Sequence, residues 1–280
     1  MSDPLVSTAW LAQRLGSAEV QVVDATWFMP GEDRTGAQAF AAGHIPGAVF
    51  FDIDRIADRS THLPHMLPAP DTFAEAAGRL GLRRDLTLVV YDGQGIFSAP
   101  RVWWTLRTMG FPEVFVLDGG LPKWRAEGRP LATATPEPTP TIIEPAFDPS
   151  LVRDIEAVRG VVERRDAQLV DARAAARFRA EVPEPRAGLR SGHMPGARNV
   201  PWSGLIDADG TMKAQDDLRA AFQAAGVDLD GAIVATCGSG VSAALLALAL
   251  ARLGREDVAV YDGSWTEWGG RADTPIATGA

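Results

Sequence analysis

Short apolar runs alternate along the chain with stretches whose apolar residues recur at helical spacing. The runs V-V-D-A at 22–25, L-V-V-Y-D at 88–92, F-V-L-D at 115–118, L-V-D-A at 169–172, A-I-V-A-T at 232–236 and V-A-V-Y-D at 258–262 read as buried strands. Between them, T-F-A-E-A-A-G-R-L-G at 72–81 and D-L-R-A-A-F-Q-A-A-G at 217–226 follow a helical period, and each closes on a glycine, a common helix stop. Val241 to Leu250 is apolar and rich in alanine and leucine, and reads as a helix. Strands apolar on both faces that alternate with helices predict an α/β fold, with parallel sheets flanked by helices.

The pattern occurs twice. A-G-H-I-P-G-A-V at 42–49 returns as S-G-H-M-P-G-A-R at 191–198, and D-G-G at 118–120 returns as D-G-S at 262–264, each followed by a tryptophan, Trp124 or Trp268. A period this long means a duplicated domain and not a solenoid. Six prolines fall between positions 130 and 149, and proline blocks helix and central strand alike. The expected organisation is a first domain at 1–130, a proline-rich linker at 131–150 and a second domain at 151–280.

Cys237 is the one cysteine. It follows the strand at 232–236 and precedes the helix at 241–250, with Gly238 and Gly240 between. A strand that turns through two glycines into a helix puts the thiol at a helix N-terminus, where unpaired N–H groups and the helix dipole favour the thiolate. An ordinary core cysteine would need no permissive backbone on that side. The reading is a reactive thiol, and an exposed thiol of this kind is also an oxidation target. The position matching Cys237 in the first copy is Asp92, so the two copies are not chemically equivalent.

Composition narrows the field. A formal net charge of −9 argues against a general nucleic-acid binder. One cysteine cannot form an internal disulfide, and it offers no metal-ligand spacing with four scattered histidines, so neither a disulfide scaffold nor a metal site is expected. The first residues, M-S-D-P-L-V-S-T-A-W-L, lack the basic and apolar segments of a secretory signal, and no apolar run is long enough for a membrane span. A cytoplasmic setting is expected, with no membrane partner and no cofactor. Cysteine phosphatases and arsenate reductases use a comparable loop closed by arginine six residues after the cysteine; here that residue is Ala243.

The tandem unit, the G-H-[IM]-P-G-A motif, the D-G-[GS]-x-x-x-W ending and the cysteine loop together resemble the rhodanese superfamily of two-domain sulfurtransferases. The resemblance covers nearly the whole chain. It implies two rhodanese-like domains, of which the second is catalytic. The loop C-G-S-G-V-S lacks the basic pair that follows the cysteine in thiosulfate-using members. It is similar to the loop of the mercaptopyruvate sulfurtransferases, with Ser242 in place of a threonine.

That resemblance implies a chemistry. Cys237 would take sulfur from 3-mercaptopyruvate as a persulfide, release pyruvate and pass the sulfur to a thiol, thioredoxin or cyanide. Gly238, Gly240, Val241 and Ser242 would cradle the persulfide through backbone N–H groups. Arg177 and Arg186 match the arginines that hold the donor's carboxylate and carbonyl, a role suited to a planar guanidinium. Asp54, His65 and Ser239 match a serine-protease-like triad that assists proton transfer, with Asp54 and His65 expected from the first domain. Two alternatives remain open: a thiosulfate:cyanide sulfurtransferase, and a persulfide carrier without turnover. His44 and His193 recur in both copies, which favours a packing role.

Overall fold

The computed structural model describes residues 3–29 and 31–279. Met1, Ser2 and Ala280, at the outer ends of the two expected domains, lie outside the described residues, as does Pro30. The chain forms two compact units. Unit 1 comprises residues 1–59, 67–148 and 207–212; unit 2 comprises 60–66, 149–206 and 213–280.

In unit 1 the elements are β1 (Leu5–Val6), α1 (Thr8–Arg14), β2 (Val20–Asp24), α2 (Gly36–Ala42), β3 (Val49–Phe50), α3 (Pro70–Arg79), β4 (Thr87–Tyr91), α4 (Ala99–Thr108), β5 (Val114–Leu117) and α5 (Gly120–Ala126). The strands make one parallel sheet in the order β1-β5-β4-β2-β3. Unit 2 contains β6 (Val152–Arg153), α6 (Ile155–Arg164), β7 (Gln168–Asp171), α7 (Ala175–Phe178), β8 (Arg198–Asn199), α8 (Gln215–Ala224), β9 (Ile233–Thr236), α9 (Val241–Arg252), β10 (Ala259–Tyr261) and α10 (Ser264–Trp268). Its parallel sheet runs β6-β10-β9-β7-β8, the same order one copy later. The fold class expected from the apolar runs is therefore present in both copies.

Each sheet buries its apolar strands beneath helices. Val22, Val89, Tyr91, Leu11 and Trp124 meet in the core of unit 1; Val158, Leu169, Val234, Tyr261, Trp265 and Trp268 meet in unit 2. The two repeated tryptophans close their units in the same way. Trp124 Nε1 donates to the Pro130 carbonyl and Trp268 Nε1 to the Pro275 carbonyl, both at 2.8 Å. Helix α9 is apolar from Ala243 to Ala251, and all of those residues are buried.

The proline-rich stretch forms no helix or sheet strand between 133 and 148, and it is tied down along unit 1. Thr141 N donates to Gly78 O at 2.9 Å, Thr141 Oγ1 to Leu82 O at 2.7 Å, and Asp148 N to Thr108 O at 2.7 Å. These carbonyls stand at or just beyond the C-terminal ends of α3 and α4, where the last turns of a helix leave acceptor capacity to be filled. The irregular stretch supplies donors to them.

One expectation is corrected. His65, from the first half of the chain, belongs with unit 2. Residues 59–65 around it form bends and turns. His65 itself takes φ 62°, in the left-handed region.

Candidate active site

Strand β9 ends at Thr236 and delivers Cys237 to the turn before α9. The turn closes on Gly240, whose φ of 81° lies where a side chain is strained and glycine is not. The loop carbonyls are held by α10: Trp265 N donates to Cys237 O at 2.9 Å, and Thr266 N and Oγ1 donate to Gly238 O at 2.8 and 2.6 Å. Cys237 is only 2% exposed, which corrects the expectation of an exposed thiol. The reason is the β10–α10 turn, which brings Ser264 against it: Cys237 N donates to Ser264 Oγ at 3.2 Å.

Ser264 is a residue that sequence reasoning missed. It is buried, and it sits at φ 49°, an uncommon conformation for a residue with a side chain. Its counterpart in the first copy is Gly120, at φ 54°. The same left-handed corner thus carries glycine where there is no thiol and serine where there is one. The D-G-G to D-G-S change between the copies was the available signal.

Unit 1 shows what its corresponding turn does without a cysteine. The Asp92 carboxylate folds into the turn and accepts four backbone N–H groups: Gln94 on Oδ1 at 2.8 Å, and Phe97, Ser98 and Ala99 on Oδ2 at 2.8, 2.9 and 2.8 Å. The first copy therefore carries an anion cradle filled by its own side chain.

A second feature of unit 2 is a chain of charges running from the core to the thiol loop. Arg173 is buried, lies 4.3 Å over the Trp265 ring, and donates to both Asp171 oxygens, to Glu184 Oε1 at 2.9 Å and to Gly192 O at 2.8 Å. Burial opposes the Arg173 charge, but the carboxylates of Asp171 and Glu184 outweigh it and hold its pKa above the usual guanidinium value. The other Glu184 oxygen takes Arg177 Nη2 at 2.5 Å. Arg177, at the end of α7, stands beside the loop: a methyl group placed on Gly238 would lie 3.1 Å from Arg177 Nη2. Arg173 and Glu184 were not singled out from the sequence, where they sit among alternating arginines and glutamates that read as surface.

The structure thus brings Cys237, Gly238, Ser239, Gly240, Val241 and Ser242 into one turn, with Arg177 against it. Ser239 is buried and Ser242 half-buried. Arg186 is half-buried in the irregular stretch between α7 and β8. Asp54 belongs to unit 1, where it is exposed and Trp27 Nε1 donates to its Oδ2 at 2.9 Å. His44 and His193 are packed alike: each stacks on a phenylalanine, Phe40 at 3.9 Å or Phe178 at 3.7 Å, and bonds that residue's carbonyl through Nδ1. His193 in this way anchors the end of α7, next to Arg177. Among the described residues no group of three or more His, Cys, Asp or Glu side chains stands ready to hold a metal, and no helix is long and apolar enough to cross a membrane.

Residues 7–127 and 155–271 match the family described as the rhodanese-like domain. The chain is similar to 3-mercaptopyruvate sulfurtransferase of Escherichia coli strain K12, with 48% identity over 272 residues that cover 97% of this chain and 96% of that one. It is 43% identical over 296 residues to thiosulfate/3-mercaptopyruvate sulfurtransferase 1, mitochondrial, of Arabidopsis thaliana, covering 98% of this chain and 78% of that one. The crystal structure of SseA from Escherichia coli, described as a 3-mercaptopyruvate sulfotransferase with the rhodanese fold, superposes with a TM-score of 0.87 at 46% identity, covering 94% of this chain and 99% of that one.

Proposed function

Since the chain belongs to the rhodanese-like family, we propose that it is a 3-mercaptopyruvate sulfurtransferase. It takes a sulfur atom from 3-mercaptopyruvate onto Cys237 and delivers it to a thiol, thioredoxin or cyanide. The observation that carries this reading is the turn C-G-S-G-V-S at the start of α9, which holds Cys237 with Arg177 beside it, in a chain similar over nearly its full length to a mercaptopyruvate sulfurtransferase.

The chemistry follows from the parts. The Cys237 thiolate attacks the donor sulfur, an S–S bond forms and the donor's S–C bond breaks. The electron pair leaves as pyruvate enolate, which takes up a proton to become pyruvate. Charge-assisted hydrogen bonds from Arg177 and Arg186 hold the donor's carboxylate and carbonyl and stabilise the enolate oxygen. Ser239, with His65 and Asp54, handles the proton. The persulfide anion rests on N–H groups of Gly238, Gly240, Val241 and Ser242 until the acceptor attacks the outer sulfur and regenerates the thiolate, giving ping-pong kinetics. Asp92 supports the same reading from the other copy, because its carboxylate fills the place that an anion would take in the corresponding turn. The proposed setting is the cytoplasm, where a single thiol stays reduced.

Sulfur transfer to cyanide, with 3-mercaptopyruvate and thiosulfate as parallel donors and thiocyanate as the readout, tests the proposal. A large kcat/KM advantage for mercaptopyruvate is expected. A thiosulfate preference would replace the donor assignment, and turnover with neither donor would replace the enzyme with a persulfide carrier.

A further inference from the structure

We propose that Glu184 is a positioning residue for sulfur transfer: its buried carboxylate holds the Arg177 guanidinium against the Gly238 side of the thiol turn. The proposal rests on the reading of Arg177 as the donor's carboxylate anchor.

Three observations support it. The Glu184 side chain is 1% exposed, and a carboxylate is kept in such a place only with full charge compensation. Arg173 does not provide that alone, because Asp171 already engages it through both oxygens. With Arg177 included, two carboxylates face two guanidinium groups and the cluster balances; without Arg177 it would hold one excess negative charge. Glu184 and Arg177 thus require each other.

The geometry of the pair is also directional. Glu184 binds Arg177 through Nε at 3.3 Å and Nη2 at 2.5 Å, which occupies one edge of the planar fork. The end edge carries Nη1 and the second N–H of Nη2. It faces Gly238, whose missing Cβ would lie 3.1 Å from Nη2 and 4.0 Å from Nη1. A carboxylate bound bidentately to that edge would sit beside the turn that holds Cys237.

Finally, α7 is one turn long, and Arg177 has a partly exposed side chain with many rotamers. A short helix end cannot aim so long a side chain. The clamp from Glu184, itself fixed by buried Arg173, does so before the donor arrives.

The test is a double-mutant cycle on kcat/KM for mercaptopyruvate-to-cyanide transfer, with thermal melting followed in the same proteins. The proteins are wild type, Glu184→Gln, Arg177→Ala and the pair. Glu184→Gln is expected to lower kcat/KM about tenfold, mainly by raising KM, and to change it by less than about twofold once Arg177 is alanine. If Arg177→Ala leaves kcat/KM unchanged, the anchor reading of Arg177 is wrong and the proposal falls with it. If Arg177→Ala impairs turnover but Glu184→Gln has the same effect in both backgrounds, or no effect in wild type, the positioning role alone is overturned. Should Glu184→Gln not fold, Arg177→Lys decides. A lysine keeps the charge but cannot grip Glu184 and the donor with separate edges, so it is expected to lose as much as Arg177→Ala; full activity would overturn the proposal.

Discussion

Ser264 Oγ stands 4.0 Å from Cys237 Sγ and donates its proton to the Tyr261 carbonyl at 2.8 Å. One hydroxyl has one proton, so it can serve that carbonyl or rotate toward an anionic sulfur, but not both at once. An anion on Cys237 would draw it across. Ser264→Ala and Ser264→Gly are both expected to slow single-turnover persulfide formation, by roughly tenfold if one charge-assisted hydrogen bond of about 1.5 kcal/mol is lost. Ser264→Gly should melt higher than Ser264→Ala, because a side chain at φ 49° costs about 1–2 kcal/mol that glycine avoids. Wild-type rates in both variants would remove Ser264 from the chemistry.

Arg186→Ala is expected to raise KM for mercaptopyruvate far more than for thiosulfate, since only the former offers a carboxylate and a ketone. Losing one charge-assisted bond of about 1.5–3 kcal/mol corresponds to roughly 10- to 150-fold. Steady-state kinetics with both donors checks it, and equal increases would sink the anchor role.

Ser239→Lys would place a cation in the thiol turn, where thiosulfate-using relatives keep one. The ratio of kcat/KM values for thiosulfate and mercaptopyruvate should move several-fold toward the dianion. An unchanged ratio would show that donor choice is set elsewhere.

Asp92→Ala would leave four inward-turned amides of unit 1 without their acceptor. A loss of at least about 2 kcal/mol is expected, since each abandoned buried donor costs about 1–3 kcal/mol before water enters. Urea unfolding followed by tryptophan fluorescence measures it. An unchanged midpoint would mean the carboxylate is not what keeps the turn closed.

Asp24, buried at the end of β2, has a pKa raised above its ordinary 3.8, chiefly by burial and against the hydrogen bonds from Thr26. The folded chain then keeps a proton that the unfolded chain has already released. Stability contributed by Asp24 therefore falls as pH rises from about 3.8 to the folded pKa, and stays reduced above it. Asp24→Asn removes the titration while its side-chain oxygen can still accept from Thr26 N. Denaturant titrations should show the variant more stable than wild type at pH 7, with the difference vanishing below pH 3.8. A gain that persists in acid would contradict the cause.

Four strands were legible because each has adjacent apolar residues at its centre: β2, β4, β7 and β9 hold Val22–Val23, Leu88–Val90, Leu169–Val170 and Ile233–Ala235. The edge strands β1, β3, β6 and β8 were not, since two residues carry no periodicity. The turn around Cys237 could be read from its glycines, which are local. Ser264 could not be read the same way, because it reaches the thiol only through the pairing of β10 with β9, Val260 beside Ala235. The burial of Cys237 was hidden for the same reason. Glu184 was hidden by its company: among Glu181, Arg179 and Arg190 it has the composition of a solvated loop, and only the fold carries it inward while Glu181 stays outside with Arg179.

The proline-rich stretch along unit 1 also bears on where this chain can be divided. Proline content alone suggests ending a first-half fragment near Pro130. Such a fragment would lose the bonds that Thr141 and Asp148 bring to the carbonyls of Gly78, Leu82 and Thr108, and the C-terminal ends of α3 and α4 would fray more readily. A fragment running through Asp148 would keep those ends capped. For limited proteolysis, the last of these ties to unit 1 lies at Asp148, eighteen residues beyond Pro130, where the prolines begin.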